Sequence, residues 1–267
     1  MTSATPSAIS RLRRSLGRLR RRARRWAVTR QDGTPVTIVT PNGAQLTWLR
    51  DHRYPPGFVD GTYEPELLAR LASLLDSGDG FLDLGANAGF VSFMVKTMVG
   101  SGRVIAVEPL PDNIAMIGRI QAINPDLPVE LIEGAVGAER GDISLGVAAN
   151  TANSRIDGAA WSLEKPLVDE VVVRSYPLDD LIAEARPAVV KIDIEGAEEL
   201  VLAASQGPEG WGIRPALIIE YHGPVNRAYC VARLEAWGYE VAVEPSVDQP
   251  EDSGLVVAST RSVGEQA

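Results

Sequence analysis

The chain has 267 residues, 45% hydrophobic and 23% charged, the composition of a soluble globular protein able to bury a core without disulfides. Its single cysteine, Cys230, excludes a disulfide framework or a cysteine-rich zinc site within one chain. The net charge of −9 is unevenly spread: residues 1–30 hold ten arginines and no acid, so the rest carries 16 basic and 35 acidic residues, a formal −19 that excludes broad wrapping of nucleic acid.

In chain order, the basic arm comes first. Ile9, Leu12, Leu16, Leu19, Ala23 and Trp26 recur at helical spacing, with arginines around the remaining faces. Two readings stand for residues 1–30: an amphipathic helix lying on an anionic membrane surface, or a solvated tail resting on the acidic body. The arm lacks the apolar core of a secretory signal, and no run of 18 apolar residues exists to span a membrane. Three lysines against 23 arginines point to a GC-rich bacterial genome rather than to a mitochondrial leader. "VTIVTPNGAQLTWL" predicts a β-hairpin over 36–49 turning at Asn42-Gly43. "EPELLARLASLLDSG" predicts a helix with Pro65 in its first turn and Leu67, Leu68, Leu71, Leu74 and Leu75 on one face.

From residue 81 the rhythm changes. Short apolar runs, "FLDLG", "RVIAVEP", "VELIEGAV", "AVVKIDI" and "ALIIEYH", alternate with helical segments near 88–99, 111–123, 196–205 and 225–237. That alternation predicts a mostly parallel sheet with helices on both faces. "GDISLGV" and "DEVVVRSYPL" are extra extended pieces flanking a polar segment, 148–165, which is either an acceptor lid or an unstructured connection. "GYEVAVEP" and "GLVVAS" form a closing strand pair. One domain over 31–267, with its core at 60–245, follows the arm.

Ligands of such sheets bind outside the carboxyl ends of the strands. The strand ends here read Asp83, then Gly85-Ala86-Asn87-Ala88-Gly89; Glu108-Pro109; Glu133-Gly134; Asp193-Ile194-Glu195-Gly196; and Glu220-Tyr221-His222. Gly85 and Gly89 permit a tight turn and a close ligand approach. Asn87 stands where a dinucleotide fingerprint wants its middle glycine, and an acidic rim repels pyrophosphate. S-adenosylmethionine has a sulfonium, an ammonium and a ribose diol but no phosphate. Asp83 near its methionine part and Glu108 on the ribose hydroxyls suit it; Glu108 alone also suits NAD.

"YEPELL", "FLDLGANAGFVS", "VIAVEPLPDN" and above all "VVKIDIEGAE" resemble the FkbM family of S-adenosylmethionine-dependent methyltransferases, over about residues 60–222. The final "EYH" is similar to the family's Glu-x-His. The resemblance implies a class I, Rossmann-like methyltransferase fold, a seven-stranded sheet whose last strand is antiparallel. It also implies O-methylation of a hydroxyl on a glycan, glycolipid or polyketide-type acceptor. The arm and hairpin lie outside it.

Methyl transfer from a sulfonium is an in-line displacement, so the enzyme holds the acceptor oxygen about 3 Å from the methyl carbon. A hydroxyl also needs a base or a metal to draw off its proton. His222 is the candidate base, with Asp193 or Glu220 orienting it. Lys191, two residues from Asp193 on one strand face, is the candidate partner that keeps Asp193 ionised. Asp193, Glu220 and His222 are the ligands if a divalent metal takes part. Tyr63 and Glu64 are candidates to cover the cofactor. Glu198 and Glu199 read as helix-start acids favoured by the dipole, and His52 as a loop residue. Cys230 falls in a predicted helix, a packed thiol rather than a nucleophile. The rival readings are an NAD-dependent oxidoreductase, a non-catalytic cofactor-binding module and, on the arm alone, RNA modification; no nucleic-acid partner is expected. The main reading is a cytoplasmic O-methyltransferase, with the arm able to hold it at the inner membrane face.

Overall fold

The computed structural model describes residues 31–148, 155–156, 167–247, 249 and 251–259. The predicted arm helix, and the lid apart from residues 148, 155 and 156, lie outside the described residues. Among the described residues, no helix is long and apolar enough to cross a membrane.

The predicted hairpin forms from β1 (Pro35–Val39) and β2 (Gln45–Leu49), paired antiparallel with Val36 opposite Trp48. Trp48 is 1% exposed and meets Phe58, Phe90 and Phe93 edge-on. At the turn, Asn42 Nδ2 donates to the Thr97 carbonyl at 2.7 Å, tying the hairpin to the domain. After a short α1 (Gly57–Asp60) comes α2 (Pro65–Leu74), which buries Leu67, Leu68 and Leu71 of the predicted apolar face.

The central sheet has seven strands: β3 (Phe81–Leu84), β4 (Val104–Glu108), β5 (Glu130–Glu133), β10 (Val189–Ile192), β11 (Ala216–His222), β12 (Glu240–Pro245) and β13 (Ser253–Ser259). Their spatial order is β12-β13-β11-β10-β3-β4-β5, with β13 antiparallel to both neighbours and the other six parallel. This is the class I methyltransferase arrangement the sequence predicts. Strand order reverses between β3 and β10, which opens a crevice at their carboxyl ends.

The helices α3 (Phe90–Val99), α4 (Pro111–Ile123), α5 (Leu178–Ala185), α6 (Glu198–Ala204), α7 (Pro208–Trp211) and α8 (Pro224–Ala236) complete the layers. Successive strand residues face opposite ways. Phe81, Ala106, Val189 and Ile218 therefore join the core under the hairpin, α2 and α3. Leu82, Val107, Ile192 and Ile219 join the core with Trp211, Cys230 and Leu234 on the other face. Asp83 and Lys191 sit level with one another in register. Period-two alternation puts them on the first face, together with Glu220 and His222.

One prediction is corrected by a second sheet. "VELIEGAV" is not one strand: it breaks at Gly134 into β5 and β6 (Ala135–Gly137). A Cβ on Gly134 would lie 2.6 Å from the Arg174 carbonyl oxygen, so only glycine lets the chain pass there. The flanking extended pieces become β7 (Gly141–Ala148) and β9 (Leu167–Pro177), which with β6 and β8 (Arg155–Ile156) form a four-stranded sheet in the order β6-β9-β7-β8.

Candidate functional site

The turn after β3 is built against β10. Gly85 has φ 79°, and a Cβ there would fall 1.8 Å from the Asp193 carbonyl oxygen, so the residue is glycine for both conformation and space. Asn87 has φ 53°, the left-handed region that asparagine tolerates better than most side chains. Its N–H donates to Glu108 Oε2 at 2.8 Å. Glu108 Oε1 accepts from the Leu110 N–H at 3.0 Å and from Asn113 Nδ2 at 2.9 Å. Glu108 thus locks the glycine turn to the start of α4. Burial pushes its carboxyl up to about 7, against the pull of these hydrogen bonds.

A cleft of about 620 Å³ opens here, lined by Gly85, Asn87, Glu108, Pro109 and Gly134 among the expected residues, and also by Asp193. Leu110, Val136 and Leu145 supply an apolar wall. S-adenosylmethionine fits this set. The wall suits a purine, and Glu108 still has acceptor capacity for a ribose diol. Asn87 Oδ1 is buried and accepts no hydrogen bond among the described residues. Among the described residues the lining holds Glu108, Asp193 and Glu195 and no lysine or arginine, which leaves the charge of a pyrophosphate uncompensated.

Five expected cofactor residues, Asp83, Gly89, Glu133, Tyr63 and Glu64, do not line the cleft. Asp83 is fully buried behind the turn, accepting from Ser92 Oγ at 2.6 Å and Lys191 Nζ at 3.2 Å. Gly89 is the N-cap of α3, and Glu133 is exposed at the end of β5. Tyr63 packs edge-on against Phe58 at 4.4 Å and Phe90 at 5.7 Å, and burial raises its hydroxyl well above the usual tyrosine range.

The catalytic candidates do converge. Lys191, 3% exposed, donates to Asp83 Oδ1, to the Gly85 carbonyl at 3.3 Å and to Asp193 Oδ2 at 3.4 Å. Burial opposes its charge, but Asp83, Asp193, Glu64 and Glu220 outweigh burial and raise its pKa. His222 Nε2 lies 3.9 Å from both Asp193 Oδ1 and Glu195 Oε2, and its Nδ1 lies 3.3 Å from Glu198 Oε1. Burial disfavours the charged ring, yet the hydrogen bond and charge of Glu198, with Asp193 and Glu195, lift it to about 10. The ring is therefore protonated at neutral pH, a state in which it donates rather than accepts.

Glu198 stands in the first turn of α6, as its sequence reading has it, and does more there. It is fully buried, accepting from the Ile194 and Gly196 N–H groups at 3.1 and 3.2 Å and from Asn226 Nδ2 at 3.1 Å. It holds His222, the orienting part expected of Asp193 or Glu220, whereas Glu199 is exposed as a helix-start acid would be. Among the described residues around His222, Asp193 and Glu195 are close enough to share an ion with it, so Glu195 stands in this geometry where the sequence reading put Glu220.

Glu220 instead lines a second cavity, of about 860 Å³, with Glu64, Glu244, Ser246 and Ser253. Burial, then the charges of Asp193 and Glu64, raise Glu220 well above the carboxylate range. Burial lifts Glu64 to about 7 although Lys191 pulls the other way. Asn113, Glu195, Glu198 and Asn226 are the site residues that sequence reasoning missed. Two of them lie in "DIEGAEE" itself, a signal that the distance between Asp193 and Glu198 along the chain concealed. His52 pairs with Asp32 at 2.7 Å, away from the cleft lining, and Cys230 is buried in α8.

Among solved structures, the chain matches methyltransferase FkbM from Methylobacillus flagellatus KT at a TM-score of 0.49 and 16% identity, over 74% of this chain and 51% of that one. It matches precorrin-6y C5,15-methyltransferase from Geobacter metallireducens GS-15 at 0.45 and 18%, over 74% and 90%. Aeropyrum pernix fibrillarin, in complex with natively bound S-adenosyl-L-methionine, matches at 0.45 and 13%, over 82% and 91%. No curated protein sequence matches the chain. The model of the methyltransferase FkbM domain matches residues 83–241, from Asp83 within β3 to the start of β12 and more than half of the chain. On that match, the chain belongs to the FkbM family of S-adenosylmethionine-dependent methyltransferases.

Proposed function

We propose that the chain transfers a methyl group from S-adenosylmethionine to a hydroxyl oxygen of a glycan, glycolipid or polyketide-type acceptor. The observation that carries this reading is Asp193. It lines the cofactor cleft, and its charge acts on Glu64 and Glu220, which line the second cavity. A donor in the cleft and an acceptor in the cavity would meet there.

Gly85, Asn87, Glu108, Pro109 and Gly134 hold the donor, which supplies a methyl group on a sulfonium. Asp193 accepts the hydrogen bond of the acceptor hydroxyl and draws its proton as the oxygen attacks. His222, held charged by Glu198, keeps a positive charge beside Asp193, in place of the base role its sequence position suggests. Lys191 acts as a positioning residue that ties Asp193 to the glycine turn. Glu64 and Glu220, with carboxyls inclined to keep their protons, can both donate to and accept from the oxygens of a polyol. Residues 1–30 hold the enzyme at an anionic membrane near a lipid-linked acceptor.

The test is methyl-labelled S-adenosylmethionine with extracted glycolipids and free sugars, the products identified by mass spectrometry. The expected product carries one labelled methyl on oxygen, and Asp193→Asn lowers its formation at least 100-fold. Label on nitrogen or carbon, or no cofactor binding by calorimetry, would overturn the reading.

A further inference from the structure

Glu195 lies outside every role assigned above, yet it is placed with care. It sits at φ 55° in the turn after β10, and that turn carries its carboxylate to within 3.9 Å of His222 Nε2. Asp193 Oδ1 approaches the same nitrogen at 3.9 Å, and the three ligand atoms all lie within 4.8 Å of one another. Neighbouring ligands around a first-row divalent ion stand roughly 3.0–3.4 Å apart, so side-chain rotations that close this set by under about 2 Å would complete the geometry.

The other ring nitrogen supplies an independent argument. Metal-binding histidines direct their second nitrogen to a carboxylate or carbonyl that fixes tautomer and ring plane. His222 is 8% exposed and presents Nδ1 to Glu198 Oε1 at 3.3 Å. Glu198 is itself immobilised by two backbone N–H groups and Asn226. With Nδ1–H donated to Glu198, Nε2 is the nitrogen that faces Asp193 and Glu195, and a bound cation takes the place of its proton. A single carboxylate beside an ordinary strand-end histidine would not need such anchoring.

We propose that Asp193, Glu195 and His222 form a divalent-cation site, with Glu198 fixing His222 from behind. One nitrogen and two carboxylate oxygens suit Mn²⁺ or a similar hard-to-borderline ion. The open positions face the cleft and would be filled by water or by the acceptor's oxygens. This inference rests on the methyl-transfer reading for its purpose but not for its test.

The chain has two histidines, His52 and His222, so full-length protein labelled with ¹³C at histidine gives two imidazole signals. His52 belongs to a second candidate cluster with Asp32 and Asp51, which makes it the internal control. Substoichiometric Mn²⁺ at about 0.15 M salt, where surface attraction is screened, should broaden the His222 signal first. His52→Ala assigns the signals and should leave the affinity unchanged. Calorimetric titration should give one Mn²⁺ per chain, with affinity reduced at least tenfold in Glu195→Gln and, through the orienting partner, ~10–100-fold in Glu198→Gln. Two sharp signals at one equivalent of Mn²⁺, broadening confined to His52, or unchanged affinity in Glu195→Gln would each overturn the proposal. Cofactor binding, followed separately with S-adenosylhomocysteine, tells its failure apart from failure of the methyl-transfer reading.

Discussion

Removing the Lys191 ammonium leaves Asp83 fully buried with Ser92 as its remaining side-chain partner among the described residues, and leaves Asp193 untied from the glycine turn. Breaking one side of a buried pair costs about 3–5 kcal/mol, because a charge stays behind unpaired. Lys191→Met should therefore lower the urea midpoint by that equivalent with an unchanged m-value, and a smaller drop would mean that Asp83 finds other compensation. His222 makes stability depend on pH. Its folded value of about 10 lies above the ordinary 6.5, so its contribution is fully present below pH 6.5 and is lost as pH rises toward 10. His222→Gln should flatten the fall in stability over that window, measured by denaturation at several pH values. Glu108 accepts three N–H donors on its two oxygens. Glu108→Gln turns one acceptor into an NH₂ facing a donor, most sharply where the Asn87 N–H points, and should weaken S-adenosylhomocysteine binding at least tenfold by calorimetry.

At the scale of elements, the hairpin β1–β2 lies outside the family-matched residues 83–241, yet Trp48 sits inside the aromatic cluster that covers α3. The hairpin is part of the domain rather than an appendage. Trp48→Ala should cost about 3–5 kcal/mol, the range for emptying a large aromatic site in a core, and should appear as a single shifted unfolding transition. A local transition with the main one unmoved would show the hairpin to be dispensable. The four-stranded sheet has a comparable part: β6 and β7 bring Val136 and Leu145 to the cleft wall. Their extended character was legible in "GDISLGV" and "DEVVVRSYPL". Their pairing was not, because parallel contact between β6 and β9 joins segments about 40 residues apart.

For the whole molecule, the division of charge between arm and body is the feature most open to test. With ten arginines in residues 1–30 and a formal −19 elsewhere, deleting the arm should abolish co-sedimentation with vesicles containing anionic lipid. The same deletion should leave turnover of a water-soluble acceptor unchanged. Binding by the full chain should weaken as salt rises. Equal sedimentation with and without the arm, or full-chain binding indifferent to lipid charge, would assign the arm another purpose.

Local chemistry made much of this protein readable from its sequence. Strand and helix alternation gave the sheet its class, the glycines and Asn87 marked the turn, and acids at the strand ends marked where a cationic ligand belongs. Each of these depends on residues close together in the chain, where periodicity and turn preference act. The tertiary structure alone decided how the acids divide their work. Asp83 backs the turn through Lys191, Glu108 holds it from the cleft side, Glu198 grips His222 from the first turn of its helix, and Glu195 rather than Glu220 closes on the histidine. A carboxylate's role depends on which donors and charges lie within about 4 Å of it, and here those neighbours arrive from strands and helices that meet only when the sheet assembles.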